Sequence, residues 1–186
     1  MNIVLHEPGI ALNTGNIGRS CAATDSSLHL IRPYGFHISE KEIKRAGMDY
    51  WDKIDLHEYI DYDDFLEKHP EISFGGAREE AGAEASEAYN NGIRSSLSNH
   101  PDSQAAEQND RAEGDAPRLW FATTKAHHAY TEVCFGPNDY IMLGNESRGI
   151  PEEILVQHPD ACIRIPMWGD IRSLNLANSA AIILYE

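Results

Sequence analysis

Three things are scarce in this chain of 186 residues, and each scarcity excludes a class of protein. Cysteine comes first: Cys21, Cys134 and Cys162 are odd in number and far apart, which argues against a disulfide framework and against a zinc site. Each reads as a small buried apolar residue. Long apolar runs are also missing. The chain is 41% hydrophobic, yet no stretch approaches the roughly eighteen residues of a membrane span and no charged-then-apolar leader follows Met1. The expectation is a cytoplasmic protein with no membrane partner. Basic charge is the third: 15 Lys and Arg stand against 30 Asp and Glu, a net charge of −15. Such a balance opposes a polyanionic partner unless cations are concentrated locally.

Where the acids lie matters more than their sum. The segment 75–117 is rich in Ala, Glu, Ser, Asn, Asp and Gly, and it holds nine acids against three arginines, so it supplies −6 of the −15. Its only larger apolar residues are Tyr89, Ile93 and Leu97. That composition buries too little surface to offset its ordering entropy, and the expectation is a disordered or loosely helical insertion in a single domain spanning 1–186. Histidine is plentiful, with nine, but no pair has helical i, i+4 spacing beside a carboxylate, and the adjacent His127 and His128 point apart. No metal is assigned.

Outside the insertion, strand and helix signals alternate. Strands are expected at "NIVLH" (2–6), "LHLIR" (28–32), "RLWFATT" (118–124), "DYIMLG" (139–144) and "ACIRIP" (161–166). Helices are expected from about Ile17 to Thr24, from the capping box at Ser39 to Glu42, over "DYDDFLEKH" (61–69), from Pro151 onward, and at the end of the chain. Near-continuous apolar strands separated by helices predict an α/β fold, a mostly parallel sheet with helices on both faces. Ligands on such sheets sit beyond the carboxyl ends of the strands.

Three chemically unusual loops fall at those ends. "NTGNIGR" (13–19) has glycines and a helix start but neither the Gly-x-Gly-x-x-Gly pattern nor the Walker lysine, so a phosphate cradle and a plain turn with an N-cap asparagine both remain open. "LGNESRGIP" (143–151) brackets Asn145, Glu146 and Arg148 between two glycines; a surface pair of Glu146 with Arg148 is its simplest reading. "IPMWGDIRSLN" (165–175) leads into a terminal helix whose first residues, Ser173, Asn175, Asn178 and Ser179, are polar yet uncharged.

In this order and wording the three loops resemble the SPOUT-class RNA methyltransferases, specifically the TrmL-like tRNA 2'-O-methyltransferases acting on the wobble nucleotide. "NIVLHEPGIALNTGNIGRSCAAT" is similar to that family's first motif, "LGNESRGIP" to its second and "IPMWGDIRSLNLANSAAIILYE" to its third, with "RAGMDYW" and "FATTKA" as further similar stretches. The resemblance spans nearly the whole chain apart from the insertion. It implies a SPOUT fold whose C-terminal part forms a deep trefoil knot, and a homodimer. It also implies S-adenosyl-L-methionine as methyl donor, with S-adenosyl-L-homocysteine as product, and tRNA as substrate. Cofactor contacts then fall on Ala122, Thr123, Gly144, Asn145, Glu146, Ile165, Met167, Ser173 and Leu174.

The first-motif arginine, Arg19, is the implied catalytic residue. A guanidinium stays protonated, so the role expected of it is to bind the neighbouring phosphate and orient the hydroxyl rather than act as a literal base. Lys41, Lys44, Arg45, Arg148 and Arg172 are the candidate RNA contacts, with Lys125 beside them; Lys41, Lys44 and Arg45 could equally be one solvated helix face. Ser173, Asn175 and Asn178 are expected to face loop backbone and cofactor rather than solvent. Ala126 stands where the family usually has glycine, and "GDIRSLN" replaces a Pro-Asp-Ser-Arg-Ser-Met-Asn run. The chain stops at Glu186 inside a helix that family members continue, so a fragment and a shorter end with an altered dimer both stay open. Two other functions are also open: a ribosomal RNA 2'-O-methyltransferase, and a non-catalytic RNA-binding factor that retains the knot.

Overall fold

In the computed structural model, which describes residues 1–36, 50–76 and 116–186, strand pairing accounts for most of the expected apolar runs. β1 (Asn2–His6), β2 (Ser27–Ile31), β5 (Arg118–Ala122), β7 (Tyr140–Leu143) and β8 (Cys162–Arg164) lie within a residue or two of their predicted bounds. Three further strands carry no long apolar run and were not expected: β3 (Leu56–Tyr59), β4 (Ser73–Phe74) and β6 (His128–Ala129). The sheet order is β3-β2-β1-β7-β5-β8-β6, with β4 on β5, and all strand pairs are parallel.

Alternation along the central strands divides the core in two. Ile3, Leu5, Leu28, Leu30, Ile141 and Leu143 face α1 (Ala11–Ala23) and the terminal helix, here α4 (Leu176–Leu184). Val4, Ile31, Leu119, Phe121 and Met142 face α2 (Tyr62–Lys68) and α3 (Glu152–Leu155) through Phe65, Ile154 and Leu155. Both faces are therefore covered, as a parallel sheet requires. Cys21 and Cys162 are buried, and Cys134 is partly so.

Several boundaries differ from expectation for identifiable reasons. α1 begins at Ala11, not near Ile17, so "NTGN" is helix rather than turn. Asn and Gly are weak helix formers, but Tyr50 donates to the Gly15 carbonyl at 2.8 Å and Asn13 is fixed by distant partners described below. Gly18 suits this helix because a Cβ there would lie 2.6 Å from Ile54 Cδ1. α3 is a single turn, with Pro151 at the N-cap rather than inside it. α2 is capped by Asp61, which accepts from the Asp64 amide at 2.8 Å, and carries the expected acids in its first turn.

The Ser39 to Glu42 helix and Lys41, Lys44 and Arg45 lie outside the described residues, as does nearly all of the 75–117 insertion. The flanks of that insertion are neighbours, since the Ser73 amide donates to the Pro117 carbonyl at 2.9 Å and the Gly75 amide to Leu119 at 2.9 Å. Among the described residues, no helix is long and apolar enough to cross a membrane, and no group of three or more His, Cys, Asp and Glu is placed to hold a metal ion.

One polar cluster is built into the α2 side of the sheet. His29, 2% exposed, places Nδ1 2.8 Å from Tyr59 Oη, which lies 2.7 Å from His69 Nε2, while Tyr140 Oη sits 3.1 Å from His69 Nδ1. Burial, reinforced by His57 and His69 and opposed by Asp55, pushes His29 down from 6.5 to about 3. Between those values the unfolded chain binds a proton that the folded chain refuses. The contribution of His29 is therefore complete above about pH 6.5 and shrinks as pH falls towards about 3. Thermal unfolding followed from pH 7 to pH 4 should show Tm falling with acid, and His29→Phe should reduce that slope whatever its Tm at neutral pH.

Candidate active site

The carboxyl ends of β5, β7 and β8 open into a cleft of about 560 Å³, walled by Ala122, Leu143 and Ile163 at its base. This is where a parallel sheet places ligands, and the volume lies in the range of small-molecule sites. The turn before α1, the loop after β7 and the loop before α4 form its rim.

The loop after β7 is the tightest. Asn145 and Gly149 exchange backbone hydrogen bonds, Asn145 N–H to Gly149 O at 3.2 Å and Gly149 N–H to Asn145 O at 2.8 Å, and Gly149 adopts φ +74°. A Cβ on Gly144 would sit 2.1 Å from the Gly149 carbonyl carbon, so only glycine lets the loop fold back so sharply. Asn145 holds the loop from within, its Oδ1 accepting from the Ser147 and Arg148 amides at 2.9 and 3.2 Å. Its Nδ2 donates outward to the Glu7 carbonyl at 2.7 Å.

Glu146 and Arg148, expected to pair with each other, do not. Arg148 pairs with Glu7 at 2.8 Å. The Glu146 carboxylate reaches the start of α1, accepting from Gly9 N–H at 2.8 Å, Ile10 N–H at 3.2 Å and Asn13 Nδ2 at 2.9 Å. The N-cap residue of α1, Ile10, has no side chain able to cap, so Glu146 serves this helix end from 136 residues away. An exposed ion pair is worth only about 0–1 kcal/mol, whereas at the start of α1 the Glu146 carboxylate accepts from three donors at once.

The third loop joins the same network. Asn175 is the N-cap of α4, its Oδ1 accepting from the Ala177 and Asn178 amides at 2.9 and 3.3 Å, while its Nδ2 donates to Asn13 Oδ1 at 3.0 Å. Asn13, 6% exposed, thus uses both ends of its amide to link Glu146 with Asn175.

The structure brings all nine expected cofactor residues to this one cleft. Ala122 and Thr123 come from β5 and its loop, Gly144, Asn145 and Glu146 from the second loop, and Ile165, Met167, Ser173 and Leu174 from the third. Arg148, Arg172 and Lys125 line it as well, with Lys125 in close contact with Glu152. His6 ends β1, where burial pushes its imidazole below the usual histidine range and the Glu7 carboxylate opposes that shift.

Arg19 does not line the cleft; it projects from α1 with its guanidinium carbon 4.6 Å above the Tyr50 ring centroid. Ala126, in place of the family's glycine, is accommodated: it is buried in the core on the α3 side. Two expectations need correction. Ser173 and Asn175 do face the cleft, but the cleft is open and both residues are exposed. Asn178 points away from it, because α4 starts at Leu176 and buries Ala177, Ala180, Ile183 and Leu184, which leaves Asn178, Ile182 and Tyr185 on the outer side. The sequence offers Asn13 as part of a turn with an N-cap asparagine or of a phosphate cradle, and no local signal marks it as the joint between the loops.

Removing the Glu146 carboxylate would leave three donors without an acceptor. Glu146→Ala should cost about 1.5–3 kcal/mol in urea unfolding, the usual worth of hydrogen bonds to a charged group, and Glu146→Gln should cost less because one acceptor oxygen survives.

Known proteins resemble this chain along nearly its whole length. The chain matches the model of the SpoU rRNA Methylase family over residues 1–93 and 95–185. It is 36% identical over 188 residues to the tRNA (cytidine(34)-2'-O)-methyltransferase of Photorhabdus asymbiotica, and 36% identical over 187 residues to the protein of that name from Yersinia pestis. Each match covers 100% of this chain and 91% of the relative. A solved structure described as giving insight into the 2-OH methylation of C/U34 on tRNA is 32% identical, with a TM-score of 0.70 over 99% of this chain and 91% of that one. The SpoU methyltransferase AviRb of Streptomyces viridochromogenes in complex with AdoMet shares the fold alone, at 18% identity and a TM-score of 0.67, over 100% of this chain and 55% of its own. By a family match that runs through all three cleft loops, this chain belongs to the SpoU methylase family.

Proposed function

We propose that the protein transfers a methyl group from S-adenosyl-L-methionine to the ribose 2'-hydroxyl of the wobble nucleotide of tRNA. The observation that carries this reading is the joining of three separate loops into one cleft, lined by the residues on which the resemblance places the cofactor. Relatives at 36% identity are named for that reaction. Ile165, Met167 and Leu174 offer apolar wall for an adenine and a thioether, and Thr123, Ser173 and Asn145 offer polar groups to orient them. The donor supplies a methyl on a positively charged sulfur. As the carbon–oxygen bond forms the carbon–sulfur bond breaks, the sulfur keeps the electron pair and leaves as neutral S-adenosyl-L-homocysteine, and the hydroxyl proton passes to a neighbouring phosphate or water. No metal is needed. Holding the two partners in line is the main service required, worth up to about 7–11 kcal/mol.

In this reading Glu146 organises the loops rather than titrating, since its oxygens are taken up by Gly9, Ile10 and Asn13. Arg148 and Arg172 meet RNA at the rim, and Arg19, which lies outside the cleft of its own chain, binds the phosphate beside the reacting hydroxyl only from across a dimer. Arg19 lies on an exposed stripe of α1 with Leu12, Asn16 and Ala23. Leu12 is 64% exposed, and Ile182 and Tyr185 on α4, the helix packed against α1, are 38% and 68% exposed. Those apolar groups support a homodimer that meets along α1 and α4, with Arg19 at the edge of the contact. The chain is read as one SPOUT domain with a C-terminal trefoil knot, working in the cytoplasm where tRNA is found.

Incubation with methyl-labelled cofactor and purified tRNA, followed by mapping of the modified nucleotide, tests the proposal. Label at the ribose of the wobble nucleotide is the expected result. Label confined to ribosomal RNA would move the substrate, and cofactor binding without transfer would leave a binding factor. Arg19→Lys should lower kcat/KM by about ten-fold or more, because a point charge does not reproduce the planar fork. RNA affinity should fall steeply between 50 and 200 mM salt, as phosphate contacts require.

A further inference from the structure

Trp168 is 92% exposed, the most open of the large apolar side chains among the described residues. Single exposed apolar residues are ordinary, but the place of this one is not. Its chain neighbour Met167 and, four residues on, Arg172 both line the cleft, so the indole stands on the loop that forms the cleft's rim. Ile171 on the same loop is 57% exposed. The loop carries a single internal backbone bond among the described residues, from the Ile171 amide to the Gly169 carbonyl at 3.0 Å. Gly169 has open space around it. The other two tryptophans are placed differently: Trp120 is fully buried and Trp51 is partly covered.

Arg172 complements the indole. Arg148 is paired with Glu7 and Lys125 with Glu152, whereas Arg172 makes no ion pair with any described residue. One rim loop therefore presents an uncovered π-face and an uncommitted guanidinium four residues apart. Those are the two components by which proteins hold single-stranded nucleic acid, aromatic stacking on a base and a cation on the backbone.

We propose that Trp168 stacks on an unpaired nucleobase of the RNA substrate beside the nucleotide to be methylated, while Arg172 takes an adjoining phosphate. The inference rests on the methyl-transfer reading above and adds the residue that grips the RNA next to the cofactor. A loop base of the anticodon is the natural occupant, because only an unpaired base offers its face.

The test uses the full chain with purified tRNA and with S-adenosyl-L-methionine, each as a separate probe. tRNA should quench the tryptophan emission of the wild type, and this quench should be absent from W168F. In steady-state transfer, W168A should raise KM for tRNA by about 5- to 150-fold, the range for loss of one stacked base. W168F should recover part of that loss, R172A should weaken the salt dependence of RNA binding, and the dissociation constant for the cofactor should stay as in the wild type. An unchanged quench in W168F, or a tRNA KM for W168A within two-fold of wild type, overturns the proposal. So does W168A if it weakens cofactor binding instead, or if it alters oligomeric state while RNA binding is unchanged. If the wild type transfers no methyl, the functional reading fails on its own, and the quench in wild type against W168F still decides whether RNA stacks on Trp168.

Discussion

A single carboxylate holds the site together. Glu146 follows a strand in the middle of the sheet, and its three acceptor bonds go to the start of a helix more than 130 residues earlier in the chain. Asn13 passes that connection on to Asn175, which starts the last helix. Each loop on its own is an irregular turn. The network fixes their spacing, and the cleft is the space left between them. Because Asn13 is almost fully buried, water is a poor alternative partner for its amide, which favours this arrangement over a loosened one.

The rest of the fold serves to present these loops. The parallel sheet brings the ends of β5, β7 and β8 to one side, and the helices on its two faces supply the apolar burial that keeps those ends still. Glycine acts at one place in particular: Gly144, where any side chain would run into the returning backbone of Gly149. Polar groups near the cleft are mostly occupied by one another, and those at the rim, Arg172 and Trp168, are not. Binding surface and supporting structure are thus separated within the same loop, with Asn175 at its inner end and Trp168 near its outer end.

Much of this was legible in the residues. Central strands announce themselves as apolar runs, and the nine residues on which the resemblance places cofactor contacts all line one cleft. What was not legible has a common physical cause. β4 and β6 are two residues each, too short for any alternation to register. The first half of α1 looks like a turn because Asn13 and Gly15 disfavour helix locally, and the bonds that overrule this come from Glu146 and Tyr50. Glu146 and Arg148 look like a pair because they are two residues apart, yet each finds a better-placed partner across the chain. The polar start of the last helix stands out in the sequence, but which of its residues face the cleft and which the outer side depends on Leu176 being the first helical residue.

The methyl-donor site proposed for this protein is the cleft bounded by Gly144, Ile165 and Ser173. The most direct measurement is a crystal structure of the protein grown with S-adenosyl-L-methionine. The donor should lie between the Gly144 loop and the Ile165 to Leu174 loop, with the Glu146, Asn13 and Asn175 bonds intact. Donor density elsewhere on the molecule, or a cleft left empty at saturating donor, would contradict it.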